Sequence, residues 1–410
     1  MKGFSPDPEQ GASRWPFRHI AWVLGVTAFG AGIPTPLYAL YEQRYHFTSG
    51  VLAVVFAAYT AGVLATMLLV APLSDVIGRK PVLYLGMALT AASAVAFIFA
   101  SGASTLAFAR IISGLAVGAT TSTATASMAS LEPRRDQHHV ARVSVAANFG
   151  GVATGILLSG LLVAFAPAPT KLVFVVLILA SLAGIVAVAT TRETVARRPK
   201  ALRSRVQRLV VPPPIQRPFW VAAGSLAACY SIYGYFGAMA PTFLRADLHL
   251  ANVAGSAALI AAMFGFAALT QLALGQVRDR RALLVGLPLI LIATVFLTAS
   301  LPATSFALFV LGDAALGIGV GFAYMGSVTL IDRVSPGSLR GEILSAFFIV
   351  GYLALAIPTI GVGVTADRLG LSTAATSFGL ALGLCVAVLY LLTRRTPTPP
   401  GGEGRPRHVS

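Results

Sequence analysis

Ala71-Pro72-Leu73-Ser74-Asp75-Val76-Ile77-Gly78-Arg79-Lys80-Pro81 sets an acid, a glycine and two bases between two apolar runs, 51–73 and 81–102. Each run has the length that carries a helix across the hydrocarbon of a bilayer, which takes about 20 residues. The stretch is therefore a turn at a membrane surface. Outward from it, the same alternation of long apolar run and short polar turn repeats along the chain.

Of the 410 residues, 56% are hydrophobic and 11% charged, against about 25% charged in an ordinary soluble domain. Twelve runs of spanning length are legible, approximately 19–40, 51–73, 81–102, 104–130, 141–166, 171–191, 219–244, 254–276, 282–301, 304–331, 343–365 and 371–393. Unpaired backbone amides are too costly in hydrocarbon, so these runs are expected as helices. The expected fold is an all-α integral membrane protein of twelve transmembrane helices. The first run is too long for a cleavable signal and is followed by eleven more, so it reads as span one.

A net charge of +16 raises nucleic acid as a partner, but the placement of the bases argues for a lipid bilayer instead. Of the 30 Lys and Arg, 25 fall in the two tails and the loops after even-numbered spans. Arg44, Lys171, Arg245 and Arg368 fall in the opposite loops, and Arg110 lies inside a span. That asymmetry follows the positive-inside rule and predicts both termini in the cytoplasm of a multi-pass inner-membrane protein. Cys229 and Cys385 both fall in spans and read as packing residues, with no disulfide framework. The six histidines make no ligand spacing with cysteines or carboxylates, so no metal is expected. No phosphate-binding Gly-x4-Gly-Lys-Ser/Thr run and no catalytic constellation occur, so neither a cofactor nor enzyme activity is expected, and an ion gradient is left as the energy source.

The chain divides into a disordered tail (1–18), a six-helix bundle (19–191), a basic linker (192–218), a second six-helix bundle (219–395) and a disordered tail (396–410). The linker carries eight bases and one acid from Arg192 to Arg217. The two bundles repeat each other. Arg110-x3-Gly114-x3-Gly118 recurs 203 residues later as Asp313-x3-Gly317-x3-Gly321, Pro133 recurs as Pro336 at the same offset, and Asp75 as Asp279 at 204. Such pseudo-symmetric halves with polar residues at matched depth are the architecture of alternating-access carriers.

Over residues 19–395 the chain resembles the major facilitator superfamily. The opening stretch is similar to that family's Gly-x-Leu-Ser/Ala-Asp-x-x-Gly-Arg-Lys signature between spans two and three, with Ala71 in place of the first glycine. Arg110 with Gly114 resembles its Arg-x-x-x-Gly element in span four. Asn148-Phe149-Gly150-Gly151-x3-Gly155 in span five resembles the Gly-x-x-x-Gly-Pro run of the family's proton antiporters, but Ile156 stands where that run has proline. The resemblance implies a cavity lined by spans one, four, seven and ten. It also implies that Asp75, Gly78, Arg79 and Lys80, with the degenerate copy at Asp279, form a cytoplasmic gate between the bundles. Span eleven begins near Ile343 on that face, and its N-terminal dipole favours a carboxylate such as Asp75 by about 0.3–1 kcal/mol. Glu132 and Asp136 are candidate partners for Arg79. The plainer alternative is that the bases only anchor topology.

Arg110 and Asp313 are the ionisable residues set well inside spans, at roughly 10 Å depth. A charge there costs about 2.5–3.5 kcal/mol on insertion scales, so neither should face lipid. At matched positions the two are expected to face one another, or a bound solute, across the cavity. Asp313 either exchanges a proton as its surroundings change, rests in a static ion pair, or is satisfied by backbone and hydroxyl groups. Gly114, Gly118, Gly317 and Gly321 lie beside them, and Gly151 and Gly155 share the spacing by four that lets helices approach closely. Pro34, in Pro34-Thr35-Pro36-Leu37-Tyr38, is expected to break span one, a discontinuity of the kind carriers use at substrate sites. Tyr38, Asn148, Tyr230, Tyr233, Gln271 and Tyr324 are the remaining cavity candidates, offering aromatic surface and hydroxyls or, alternatively, ordinary helix contacts.

The resulting expectation is a secondary active transporter of a small organic solute, working as a monomer with proton-coupled efflux of amphipathic, drug-like compounds. A proton-coupled uptake symporter for a small metabolite is the alternative, and a non-transporting membrane sensor a more distant one.

Overall fold

Helix is the only regular structure among the residues that the computed structural model describes, 15–69, 77–133, 136–194, 211–246, 252–274, 279–300, 303–336 and 339–395. The first half consists of α1 (Trp15–Gly32), α2 (Pro34–Tyr45), α3 (Ser49–Leu69), α4 (Arg79–Ile98), α5 (Ala103–Leu131), α6 (Gln137–Phe165) and α7 (Pro169–Ala189). The second consists of α8 (Gln216–Ala238), α9 (Ala240–Ala246), α10 (Val253–Leu274), α11 (Asp279–Ser300), α12 (Phe306–Val334), α13 (Arg340–Leu369) and α14 (Leu371–Arg395). The start of α1 and the end of α14 lie on one face of the molecule, the terminal face. The turns after α2, α4 and α13 lie on the opposite, far face.

Two spans are broken, and they open the two halves. Pro34 has no N–H and takes the first position of α2, so α1 stops at Gly32 and a new helix starts. In the second half α8 stops at Ala238 and α9, which contains Pro241, starts two residues on. Counting each pair as one gives twelve spans. Eleven helical spans among the described residues are long and apolar enough to cross a membrane. The other one is α8, whose tyrosines, serines and glycines dilute its hydropathy. It is also heavily enclosed, with 16 of its 23 residues buried. By contrast α7, the most apolar span, has only 33% of its best window buried inside the protein. That contrast separates a central helix from one that meets lipid.

Some boundaries differ from the sequence reading. Residues 15–18, expected in a disordered tail, are the first turn of α1; the linker's last residues form a 3-10 turn (Pro213–Ile215) and the start of α8. The rest of both tails, and residues 195–210 of the linker, lie outside the described residues. Cys229 is buried, but Cys385 is exposed on α14 and is not the packing residue expected.

Within each half, small residues allow close approach. A Cβ at Gly114 of α5 would fall on the Tyr59 carbonyl of α3, and one at Gly155 of α6 on the Phe29 carbonyl of α1. The halves then meet along two seams, α3 against α13 and α6 against α10.

Candidate functional site

Arg110 projects from α5 into a pocket built by α1, α2 and α3. Its side chain is 2% exposed, and Nη1 donates to the Ala31 carbonyl at 3.3 Å. The guanidinium lies over two aromatic faces of α3, 5.0 Å from the Phe56 centroid and 4.7 Å from that of Tyr59, a cation–π arrangement that offsets part of the desolvation cost. Nε has no hydrogen-bond partner, and among the described residues no carboxylate pairs with Arg110. Tyr38 of α2 is fully buried beside it, edge-on to Phe56 at 6.1 Å, with its hydroxyl likewise unpartnered.

Asp313 is equally enclosed, 2% exposed on α12, and its Oδ1 has no partner. One turn to either side, Phe309 and Leu316 line an apolar pocket inside the second half, together with Phe236, Leu297 and Phe378. Arg110 and Asp313 therefore do not form the ion pair that their matched depths suggested. Arg110 is turned into the first half, and Asp313 is buried in the second, between two pocket-lining apolar residues along α12.

The tyrosines of α8 come together with partners from both halves. Tyr233 stacks on Phe264 of α10 at 5.2 Å and meets Phe149 of α6 at 5.8 Å, while Tyr324 of α12 meets the same Phe149 at 5.4 Å. Tyr230 packs edge-on to Tyr352 of α13 at 5.1 Å. Phe149, Phe264 and Tyr352 are not among the residues the sequence singled out, and only helix packing brings them to these tyrosines. Asn148 is half-buried beside Phe149, and Gln271 of α10 is buried with its Nε2 unpartnered.

At the terminal face, Arg79 and Lys80 open α4. Their backbone N–H groups donate to the two carboxylate oxygens of Glu193 at 3.0 and 3.1 Å, satisfying orphan donors at the helix start where negative charge is favoured. Arg79 Nη1 donates to Ser130 Oγ at 2.7 Å and the Ala126 carbonyl at 2.8 Å, and Lys80 Nζ to the Thr191 carbonyl at 2.8 Å. The expected partners of Arg79 are thus replaced, since Glu132 instead faces His139 at 3.7 Å and Asp136 accepts from the His139 N–H at 3.2 Å. Glu193 is the one acid of the basic linker, and that isolation among bases is its mark in the sequence. Gly78 has φ 102°, and a Cβ there would stand 2.7 Å from Glu193 Oε2. Among the described residues, the partners of these bases lie in the first half or at the start of the linker that follows it.

The repeat copies this device. Arg280 of α11 donates to the carbonyls of Thr393 and Arg394 at the end of α14, as Lys80 of α4 does to the residues after α7. In both cases a cation meets the exposed carbonyls at a helix C-terminus. Asp75 lies outside the described residues, and of Asp279 only the backbone, as the first residue of α11, is described.

At the far face the two halves are tied to each other. Glu42 of α2 accepts from Ser49 Oγ at 2.9 Å within its own half and from Thr242 Oγ1 of α9 at 2.9 Å across the boundary. Asp367 of α13 accepts from the Gly50 N–H at the start of α3. A Cβ at Gly363 would crowd the Ser49 carbonyl and Ala53, and one at Gly160 would meet Ala257. The backbones are close here.

Residues 20–359 match the family profile described as Major Facilitator Superfamily, from within α1 to the later part of α13. The chain belongs to the major facilitator superfamily. No curated relative matches it. As a member of this superfamily it is a multi-pass membrane transporter. The remaining packing glycines lie at the seams within each half. A Cβ at Gly118 would stand 2.8 Å from Thr66, at Gly151 2.6 Å from the Gly25 carbonyl, at Gly317 2.5 Å from the Met263 carbonyl and at Gly321 2.8 Å from the Ala267 carbonyl.

Proposed function

We propose that this transporter exports an amphipathic organic solute across the cytoplasmic membrane in exchange for protons, as a monomer with both termini in the cytoplasm. The observation that carries the reading is Asp313, a carboxyl enclosed in a span of the second half with one oxygen unpartnered and, among the described residues, no ion-pair partner. A group so placed is costly as a bare anion and serves as a proton carrier when its surroundings change with the opening. The far-face ties through Glu42 and Asp367, against terminal-face bases whose partners among the described residues lie in the first half or the adjoining linker, support a state open toward the cytoplasm.

The test is transport in proteoliposomes holding the full chain, with an imposed pH gradient and a panel of aromatic solutes of positive, neutral and negative charge. Movement of solute toward the acidic compartment supports antiport. Movement with the protons supports the uptake symporter, and movement indifferent to the gradient removes proton coupling.

A further inference from the structure

We propose that Arg110 and Tyr38 hold an anionic group of the transported solute, so that the solute is an amphipathic organic anion. The inference rests on the transporter reading and adds the substrate's charge. A guanidinium carries five N–H donors and no acceptor, and a buried charge is normally met by an opposite one. Arg110 has a single carbonyl at 3.3 Å and two aromatic faces, leaving Nε without an acceptor. Tyr38 is 0% exposed, its hydroxyl also lacks a partner, and it lies within reach of the Arg110 charge. Two buried donor groups side by side call for an acceptor that the described protein does not supply. A carboxylate would supply the missing acceptors, one oxygen for Nε–H and the other for the tyrosine hydroxyl.

The position suits a transported group. A Cβ at Gly237 of α8 would stand 2.7 Å from the Phe56 ring, so the second half presses on the wall of the Arg110 pocket. Tyr59, whose face carries the guanidinium, packs with Tyr352 of α13 and leads toward Tyr230. An apolar or aromatic body anchored by its anion at Arg110 would lie along this surface between the halves. Asp313 is in the other half, so the solute's charge and the exchanged proton occupy separate sites.

The probes are three isosteres, 1-naphthoate, 1-naphthamide and 1-naphthylmethylamine, titrated calorimetrically into the purified full chain. The naphthoate should bind about tenfold or more tightly than either of the others, the size of one charge-assisted hydrogen bond. Arg110→Gln should reduce that preference to near unity, Arg110→Lys should keep part of it, and Tyr38→Phe should weaken naphthoate about three- to tenfold. Equal binding of all three, tighter binding of the amine, no binding by any, or a preference that survives Arg110→Gln each overturn the assignment. Should Arg110→Gln fail to fold, the comparison among the isosteres on the unaltered protein still decides. Anion preference without transport of naphthoate in proteoliposomes would instead count against the transport mechanism and leave the anion site standing. Gradient-driven movement of neutral or cationic solutes only would do the reverse.

Discussion

Asp367 Oδ2 accepts the backbone N–H of Gly50 at 2.9 Å, joining residues 317 positions apart and belonging to opposite halves. Glu42 and Thr242 make the reciprocal contact, with the carboxylate now supplied by the first half and the donor by the second. Each half thus offers a carboxylate to a donor of the other, at a face where their backbones also approach closely at Gly160 and Gly363.

Removing this double tie should open the far face. Each bond to a carboxylate contributes about 1–2 kcal/mol after allowance for partial exposure, which is five- to thirtyfold in a conformational equilibrium. In a protein with both native cysteines replaced by alanine, Ala257→Cys is expected to react slowly with a membrane-impermeant maleimide, because Ala257 is 1% exposed against Gly160. Adding Asp367→Ala with Thr242→Val should raise the labelling rate several-fold. An unchanged rate would show that the seam is closed by packing alone.

The proposed coupling role makes Asp313 a trade between stability and function. A buried acceptor without a donor costs about 1–3 kcal/mol, so Asp313→Leu is expected to raise the thermal unfolding midpoint while abolishing gradient-driven transport. Asp313→Asn should likewise lose gradient-driven transport but retain solute exchange without a gradient. Equal loss of both activities in Asp313→Asn would assign the residue to solute binding or to folding.

Glu193 caps α4 with both carboxylate oxygens, so Glu193→Ala strands the N–H groups of Arg79 and Lys80. A lost cap of this kind costs about 0.5–2 kcal/mol, read as a lower midpoint in thermal unfolding. Gly78→Ala should be at least as damaging, since φ 102° disfavours a side chain and its Cβ would meet the same carboxylate. If Glu193→Ala unfolds like the unaltered protein, the bases at this turn serve topology only.

Gly150 and Gly155 make a matched pair on α6. A Cβ at Gly150 meets nothing within 4 Å, whereas one at Gly155 falls on the Phe29 carbonyl. Gly150→Ala is expected to be neutral or to stabilise by up to about 1 kcal/mol. Gly155→Ala should destabilise by about 1–3 kcal/mol by forcing α1 and α6 apart. Similar midpoints for the two variants would contradict the close contact.

The family fold was legible in the sequence because lipid imposes a local rule. Hydrocarbon demands apolar side chains and internally bonded backbone over a fixed thickness, so runs such as 104–130 announce α5 within a residue or two at either end. The repeat was legible for the same reason, since Arg110 and Asp313 stand out against apolar neighbours at one offset. Only the tertiary structure decided what these residues touch. It turned Arg110 toward Ala31, Phe56 and Tyr59 and away from Asp313, gave Glu193 to the start of α4, and joined Gly50 to Asp367. Such contacts depend on which helices pack together, and they join residues 79, 114 and 317 positions apart. Hydropathy places a residue in depth; packing alone gives it a partner.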